Sequence, residues 1–147
     1  MENLSKKQLA EEYFKQGYNC SQAIVLAFER EIGLDRQVLL NMSASFGGGM
    51  GRLRLTCGAV TGMFMALGLI KKRDMTNIQE KQEHYAQIQK LAKLVEEKIG
   101  SINCSILLNT TDNSPTPTVR TEEFYKKRPC IKIIGECAAI LEQELNM

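Results

Sequence analysis

One segment constrains this chain more than any other: Leu55 to Ile70, 16 residues that are apolar almost all round. A helix with no polar stripe has to be covered on every side, by lipid or by the rest of a protein. The segment falls short of the roughly 20 residues that a bilayer span needs. It carries Thr56, Thr61 and three glycines, and Lys71-Lys72-Arg73 follows it, where cations complement a helix dipole. It therefore reads as the central helix of a bundle. Gly58 and Gly62 are four apart and share one face, where the missing side chains let another backbone approach. They are candidates for contact with a cofactor as well as with a neighbouring helix. The helix is expected to be covered within the monomer or by a second chain, as in a homo-oligomer.

The flanking sequence supplies the rest of a bundle, because helical periodicity dominates and strand-type alternation is scarce. Ser5 with Gln8 forms a capping box for a helix reaching about Gln16, with Leu9, Tyr13 and Phe14 on one face. A second helix is predicted from about Cys20 to Glu31, closed by Gly33. Asp35 caps a third, to about Phe46, with Val38, Leu39 and Met42 as its apolar residues. Gly47-Gly48-Gly49-Met50-Gly51 breaks that helix, and Thr56 is placed to cap the central one, from Cys57 to about Leu69. Asn77 to about Ile99 is a long amphipathic helix carrying Ile78, Tyr85, Ile88, Leu91, Ala92, Val95 and Ile99, with Gly100 ending it. Ser101–Leu108 is a short helix and Asn109–Thr118 a loop. Glu122–Lys127 is a helical turn, and a last helix runs from Cys130 to about Leu145 with Pro129 in its first turn. The expectation is an all-α, single-domain bundle over 1–147, with five to seven helices around one apolar helix.

Composition then removes function classes. The net charge of +2 is too small for a nucleic-acid footprint or a membrane-surface patch. Aromatics at 6% and the absence of Trp argue against a base-stacking platform. His84 is the one histidine, so multi-histidine metal sites and most His-based triads are excluded; it reads as a surface residue. The glycine run lacks the Gly-Lys-Ser/Thr of a P-loop and follows no predicted strand, so it reads as a turn or hinge. Arg52 and Arg54 are a candidate anion pair, with a solvated loop as the preferred reading. The N-terminal Met1-Glu2-Asn3-Leu4-Ser5-Lys6-Lys7 has no apolar run of signal type, so a cytoplasmic location is expected.

The five cysteines remain. An odd count fits a closed disulfide framework poorly. Cys20, Cys57, Cys104 and Cys130 all fall at predicted helix starts, where free N–H groups and the dipole favour thiolate. Arg52, Arg54 and Lys126-Lys127-Arg128 would push the same way if they point inward. Cys137 lies two turns after Cys130, roughly 10 Å along the axis, among Ile134, Ala138 and Leu141, and reads as core. Separations of 37, 47 and 26 residues give no zinc-ribbon or thioredoxin-like spacing.

In their local contexts the four cysteines resemble the C_GCAxxG_C_C family, whose proteins are ascribed redox activity. The matching stretches are Gly17-Tyr18-Asn19-Cys20-Ser21-Gln22-Ala23, Cys57-Gly58-Ala59-Val60-Thr61-Gly62, Gly100-Ser101-Ile102-Asn103-Cys104 and Arg128-Pro129-Cys130. The order Thr56-Cys57-Gly58-Ala59 departs from a literal Gly-Cys-Ala, and Cys137 lies outside the pattern. The resemblance implies a redox role for the four matched cysteines.

Three readings follow. Four convergent thiolates can hold an iron–sulfur cluster or another metal-thiolate centre, or act as dithiol–disulfide pairs with Cys57 as nucleophile. Either implies an electron-transfer partner. Cys20, Cys57, Cys104 and Cys130 could instead close a structural zinc site. The third reading is a non-catalytic helical protein with merely buried cysteines.

Overall fold

The computed structural model describes residues 3–147. Met1 and Glu2, the first residues of the expected 1–147 domain and of the segment read as lacking a signal, lie outside the described residues. Among the described residues the chain is all-α, with nine helices, six of them of seven residues or more, and no strand. In order they are α1 (Lys6–Lys15), α2 (Cys20–Ala27), α3 (Glu29–Ile32), α4 (Arg36–Ser43) and α5 (Gly58–Lys71). Then come α6 (Ile78–Ile99), α7 (Cys104–Leu108), α8 (Glu122–Lys127) and α9 (Cys130–Glu144). The expected five to seven helices correspond to the six longer ones, and the surplus consists of single turns. No helix among the described residues is long and apolar enough to cross a membrane.

The apolar segment is the central helix. α5 packs on α2, α9 and α6, and Val60, Met63, Ala66 and Leu67 on it are fully buried. Its Gly62 face is closed by α2: a Cβ there would come within 2.7 Å of the Ser21 carbonyl oxygen and 3.1 Å of Ile24 Cβ. α2 accepts this because nearly all of it is apolar, and Ala23 to Ala27 are all buried. α1 lies across α2 and α9, while α6 lies against α9 and α5.

Several boundaries differ from expectation for identifiable reasons. The helix begun at Cys20 breaks at Phe28 (φ −106°, ψ 14°), which puts that ring in the core with no exposed surface. The chain re-forms α3 and ends at Gly33, which is left-handed (φ 78°). α4 stops at Ser43 and tightens into a 3₁₀ turn, Ala44–Phe46. Only Leu39 and Ser43 on α4 are buried; Val38 and Met42, one row round the helix, are 45% and 42% exposed. Thr56 does not cap α5. It forms an isolated bridge with Asn103, and Cys57 takes the cap position without a side-chain bond. Pro129 likewise sits one place earlier than expected, at the cap of α9. On α6, Leu91 and Val95 are buried but Ile78 and Tyr85 are 83% and 54% exposed, because the first turns run past the helices they would need to meet. His84 is half-buried rather than on the open surface, with Nδ1 2.8 Å from Arg73 Nη1. Burial and the Arg73 charge both lower its pKa.

Candidate functional site

Each of the four matched cysteines stands at a helix start, and each start is fixed by its own local device. Asn19 caps α2: its Oδ1 accepts from Gln22 N at 2.9 Å while Gln22 Oε1 accepts from Asn19 N at 3.1 Å. Asn19 Nδ2 and Gln22 Nε2 then donate to the carbonyls of Ala44 and Leu40, tying the start of α2 to the end of α4. Cys57 and Cys104 are locked to each other's segments. Cys57 N donates to the Ile102 carbonyl at 2.8 Å and Cys104 N to the Leu55 carbonyl at 2.7 Å, on either side of the Thr56–Asn103 bridge. Asn103 Oδ1 caps α7 by accepting from Ser105 N. Cys130 opens α9 directly after Pro129.

The glycine run is a tight left-handed loop. Gly48, Gly49 and Gly51 have φ of 67°, 74° and 59°, and Met50, Arg52 and Arg54 share the conformation at 69°, 69° and 62°. For residues with a Cβ such backbone costs about 1–3 kcal/mol each, and it persists only where surrounding contacts enforce it. Here Arg54 N and Leu55 N donate back to the carbonyls of Gly48 and Gly49. Gly49 is pressed so close that a Cβ on it would lie 2.7 Å from Cys104 Cβ.

The result is a cavity of about 340 Å³, lined by all four matched cysteines although 110 residues of sequence separate Cys20 from Cys130. Cys137 is fully buried and does not line it. Gly58 lines the cavity, and a Cβ there would overlap the Cys20 sulfur. Gly62 is not in the wall; it meets α2. Pro115, Pro117 and Thr118 from the long loop close one side.

Among the described residues the walls carry four arginines and no carboxylate. Arg52 is committed to the long loop: Nε donates to the Ser114 carbonyl at 2.7 Å, Nη1 to Thr118 Oγ1 at 3.3 Å, and Nη2 is 3.6 Å from Asp112 Oδ2. Arg120 donates to the carbonyls of Phe14 and Tyr18 and lies 4.0 Å over the Phe14 ring. Arg54 corrects the solvated-loop reading. It is only 5% exposed, with Nε donating to the Asp112 carbonyl at 2.8 Å and Nη1 3.7 Å from Cys104 Sγ. Its Nη2 is buried with no hydrogen-bond partner. Arg128 is half-buried with its guanidinium 5.5 Å from the Phe124 ring centre. The pair Arg52 and Arg54 was visible before Cys57 in the sequence, but nothing there announced that Arg54 is buried. Nothing at all singled out Arg120.

Electrostatics reverse one expectation. Helix starts were expected to hold these sulfurs as thiolates. Backbone N–H groups of Gly48 and Ser21 do favour the Cys20 thiolate, and those of Ala59 and Val60 favour that of Cys57. Burial outweighs them: the Cys20 thiol is pushed up and the Cys57 thiol well up, with the neighbouring sulfurs adding to the rise. Burial also raises Cys130, to about 11, against the opposing pull of Arg128 and Arg120. Cys137 is raised to about 12 by burial, with Cys20 and Glu136 adding to it. These thiols rest protonated.

No cysteine is paired in a disulfide. A closed zinc site needs four donors at about 2.0–2.3 Å from one ion. Among the described residues no group of three or more cysteine, histidine or carboxylate side chains is gathered to hold a metal ion. The arrangement therefore does not fit a single-ion site.

The family model described as "Putative redox-active protein (C_GCAxxG_C_C)" matches residues 18–144. No curated protein and no solved structure matches the chain.

Proposed function

The chain belongs to the C_GCAxxG_C_C family, and on that premise we propose that it is one helical redox domain whose centre is the cysteine-lined cavity. Cys20, Cys57, Cys104 and Cys130 are its working thiols, and Cys137 is packing. The observation that carries the reading is their common cavity: four cysteines from four helix starts face one space, while the fifth is left out.

The form of the centre that the surroundings favour is a polynuclear iron–sulfur cluster held by the four thiolates. A cluster spans more space than one ion, and a cavity of about 340 Å³ whose lining includes all four cysteines has room for it. Its negative charge suits walls that, among the described residues, carry four guanidinium groups and no carboxylate. When bound, such a group supplies one-electron transfer. The chain's own part is to hold the thiolates, exclude water with the long loop, and offset charge through Arg54 beside Cys104. Binding releases the protons that burial now keeps on Cys20, Cys57 and Cys130.

A second reading, a dithiol–disulfide centre, draws on one observation. Cys20 Sγ lies against Gly58, next to Cys57 in the chain, so these two sulfurs are neighbours. Oxidation would then join them with loss of two protons and two electrons to a disulfide or quinone-type acceptor.

Anaerobic purification followed by iron, acid-labile sulfide and thiol counts separates the two. The cluster reading expects iron and sulfide in step and visible absorbance that C20A, C57A, C104A and C130A each lose and C137A keeps. A metal-free protein that cannot be reconstituted, with a reversible Cys20–Cys57 disulfide, gives the second reading instead. Rapid alkylation of none and redox response of none would sink both.

A further inference from the structure

The lining of the cavity is of two kinds. Arg54 and Arg128 supply charge, and Phe124, Leu107, Ile133 and Ile134 supply apolar surface. The donors of Arg52 and Arg120 are already spent on the long loop and on the carbonyls of Phe14 and Tyr18. Arg54 spends Nε on the Asp112 carbonyl and Nη1 on Cys104 Sγ, and has a third nitrogen left over. Arg54 is 5% exposed and keeps one nitrogen, Nη2, buried without a partner. A charged guanidinium at that depth is strongly disfavoured unless an anion joins it. The nearest protein candidate, the Asp112 carboxylate, is directed at Arg52, and Arg54 receives only the Asp112 carbonyl. Arg128 lines the same space, with the Phe124 ring centre 5.5 Å from its guanidinium.

We infer that the cavity is also a binding site for a small organic anion, its acidic head group held by Arg54 and Arg128 and its apolar body against Phe124, Leu107 and Ile133. The volume of about 340 Å³ lies at the small end of ligand pockets, which run from roughly 300 to 1,000 Å³. The apolar surface distinguishes this ligand from a bare oxyanion, which would gain nothing from it. A guanidinium fork suits a carboxylate or phosphonate head group, taking two oxygens at once. The ligand would lie beside Cys104, which Arg54 touches, and near Cys130, to which Arg128 is charge-coupled. This goes beyond the redox reading and concerns the protein with its thiols free or paired, because a cluster would take up the same space.

The test is calorimetric titration of the full chain, purified anaerobically and freed of any metal with a chelator, with benzoate, hexanoate, phenylphosphonate, inorganic phosphate and neutral benzamide. The organic anions should bind at one site. Benzamide should bind more weakly by a factor on the order of ten to a hundred, the worth of a hydrogen bond to a charged group. R54M and R128M should each weaken the organic anions by a similar factor, and saturating benzoate should slow alkylation of Cys130. Benzamide binding as well as benzoate would overturn the inference, as would no binding of any anion. Inorganic phosphate matching phenylphosphonate would overturn the organic assignment. R54M also removes the tie to the Asp112 carbonyl, so R128M, at a half-buried position, decides the matter: unchanged benzoate affinity in folded R128M refutes the site. Iron and sulfide counts report on the thiols and the titration reports on the arginines, so either proposal can fail alone.

Discussion

Replacing Gly58 by alanine tests how the site is held together. A methyl at this position would overlap the Cys20 sulfur and lie 2.7 Å from the Phe46 carbonyl oxygen and 3.3 Å from Ser21 N. Two of these three neighbours are backbone, so they cannot swing aside as a flexible side chain would. Overpacking of this kind costs about 1–3 kcal/mol, and backbone neighbours place it in the upper half of that range. Alanine returns up to about 1 kcal/mol of helix propensity, leaving a net loss of about 1–2 kcal/mol. For a chain of this length that corresponds to a fall in Tm of roughly 2–8 °C. Gly68 on the same helix supplies the control. A methyl there meets nothing nearer than His84 at 3.9 Å, so G68A should gain stability by up to about 1 kcal/mol. Urea titrations of G58A, G68A and wild type, with m-values compared, give the numbers. G58A should also move Cys20 and change its alkylation rate, while G68A should not. If G58A is as stable as wild type, or G68A loses as much as G58A, the close approach of α2 to α5 is not what fixes the cavity.

Three further outcomes are expected. With Cys130 at about 11 and Cys137 at about 12, both above the roughly 8.5 of an unfolded thiol, the folded state keeps these protons longer. The stability they add is therefore complete below about pH 8.5 and is lost as pH climbs through 11 and 12. Urea midpoints measured from pH 8.5 to 11 should fall less steeply in C137A than in wild type, and equal slopes would refute the assignment. C137A itself should cost about 1 kcal/mol while leaving any iron and sulfide content unchanged; loss of iron in that variant would place Cys137 in the centre. R52Q removes the tie to Ser114, Thr118 and Asp112, so limited proteolysis within 110–118 should accelerate, as should alkylation of the cavity thiols. Unchanged cleavage would mean the loop is held by something other than Arg52.

The fold was legible where one side chain decides one geometry. Ser5 with Gln8, Asn77, Gly33 and Gly100 all end or begin helices where the pattern puts them, because caps and left-handed residues act over a single turn. What was not legible depends on partners distant in sequence. Thr56 looks like a cap from its neighbours alone, yet Asn103, 47 residues later, claims its backbone. Val38, Leu39 and Met42 carry the same hydrophobic signal, and only the position of α2 decides that Leu39 goes inward. The ordering of the cysteines was available at once, but their protonation was not. The helix-start argument identified N–H groups that do point at Cys20 and Cys57; it lacked the depth of burial that outweighs them.

That imbalance bears on how the cavity works. The raised thiols of Cys20, Cys57 and Cys130 bring no negative charge at rest to a cavity that holds a buried, incompletely bonded Arg54. An apolar core of this kind would be more stable with methionine at position 54 and no guanidinium to bury. The left-handed backbone at Arg52 and Arg54 adds a second local penalty at the same place. Two independent costs at one wall make sense if the negative charge arrives with what the site binds, whether thiolates formed on a cluster or the head group of an organic anion. The prediction is that R54M raises the stability of the empty protein while weakening whatever the filled one holds. A folded R54M that is less stable than wild type when empty, with the anion and metal content of the wild type, would assign Arg54 to anchoring Asp112 and the long loop alone.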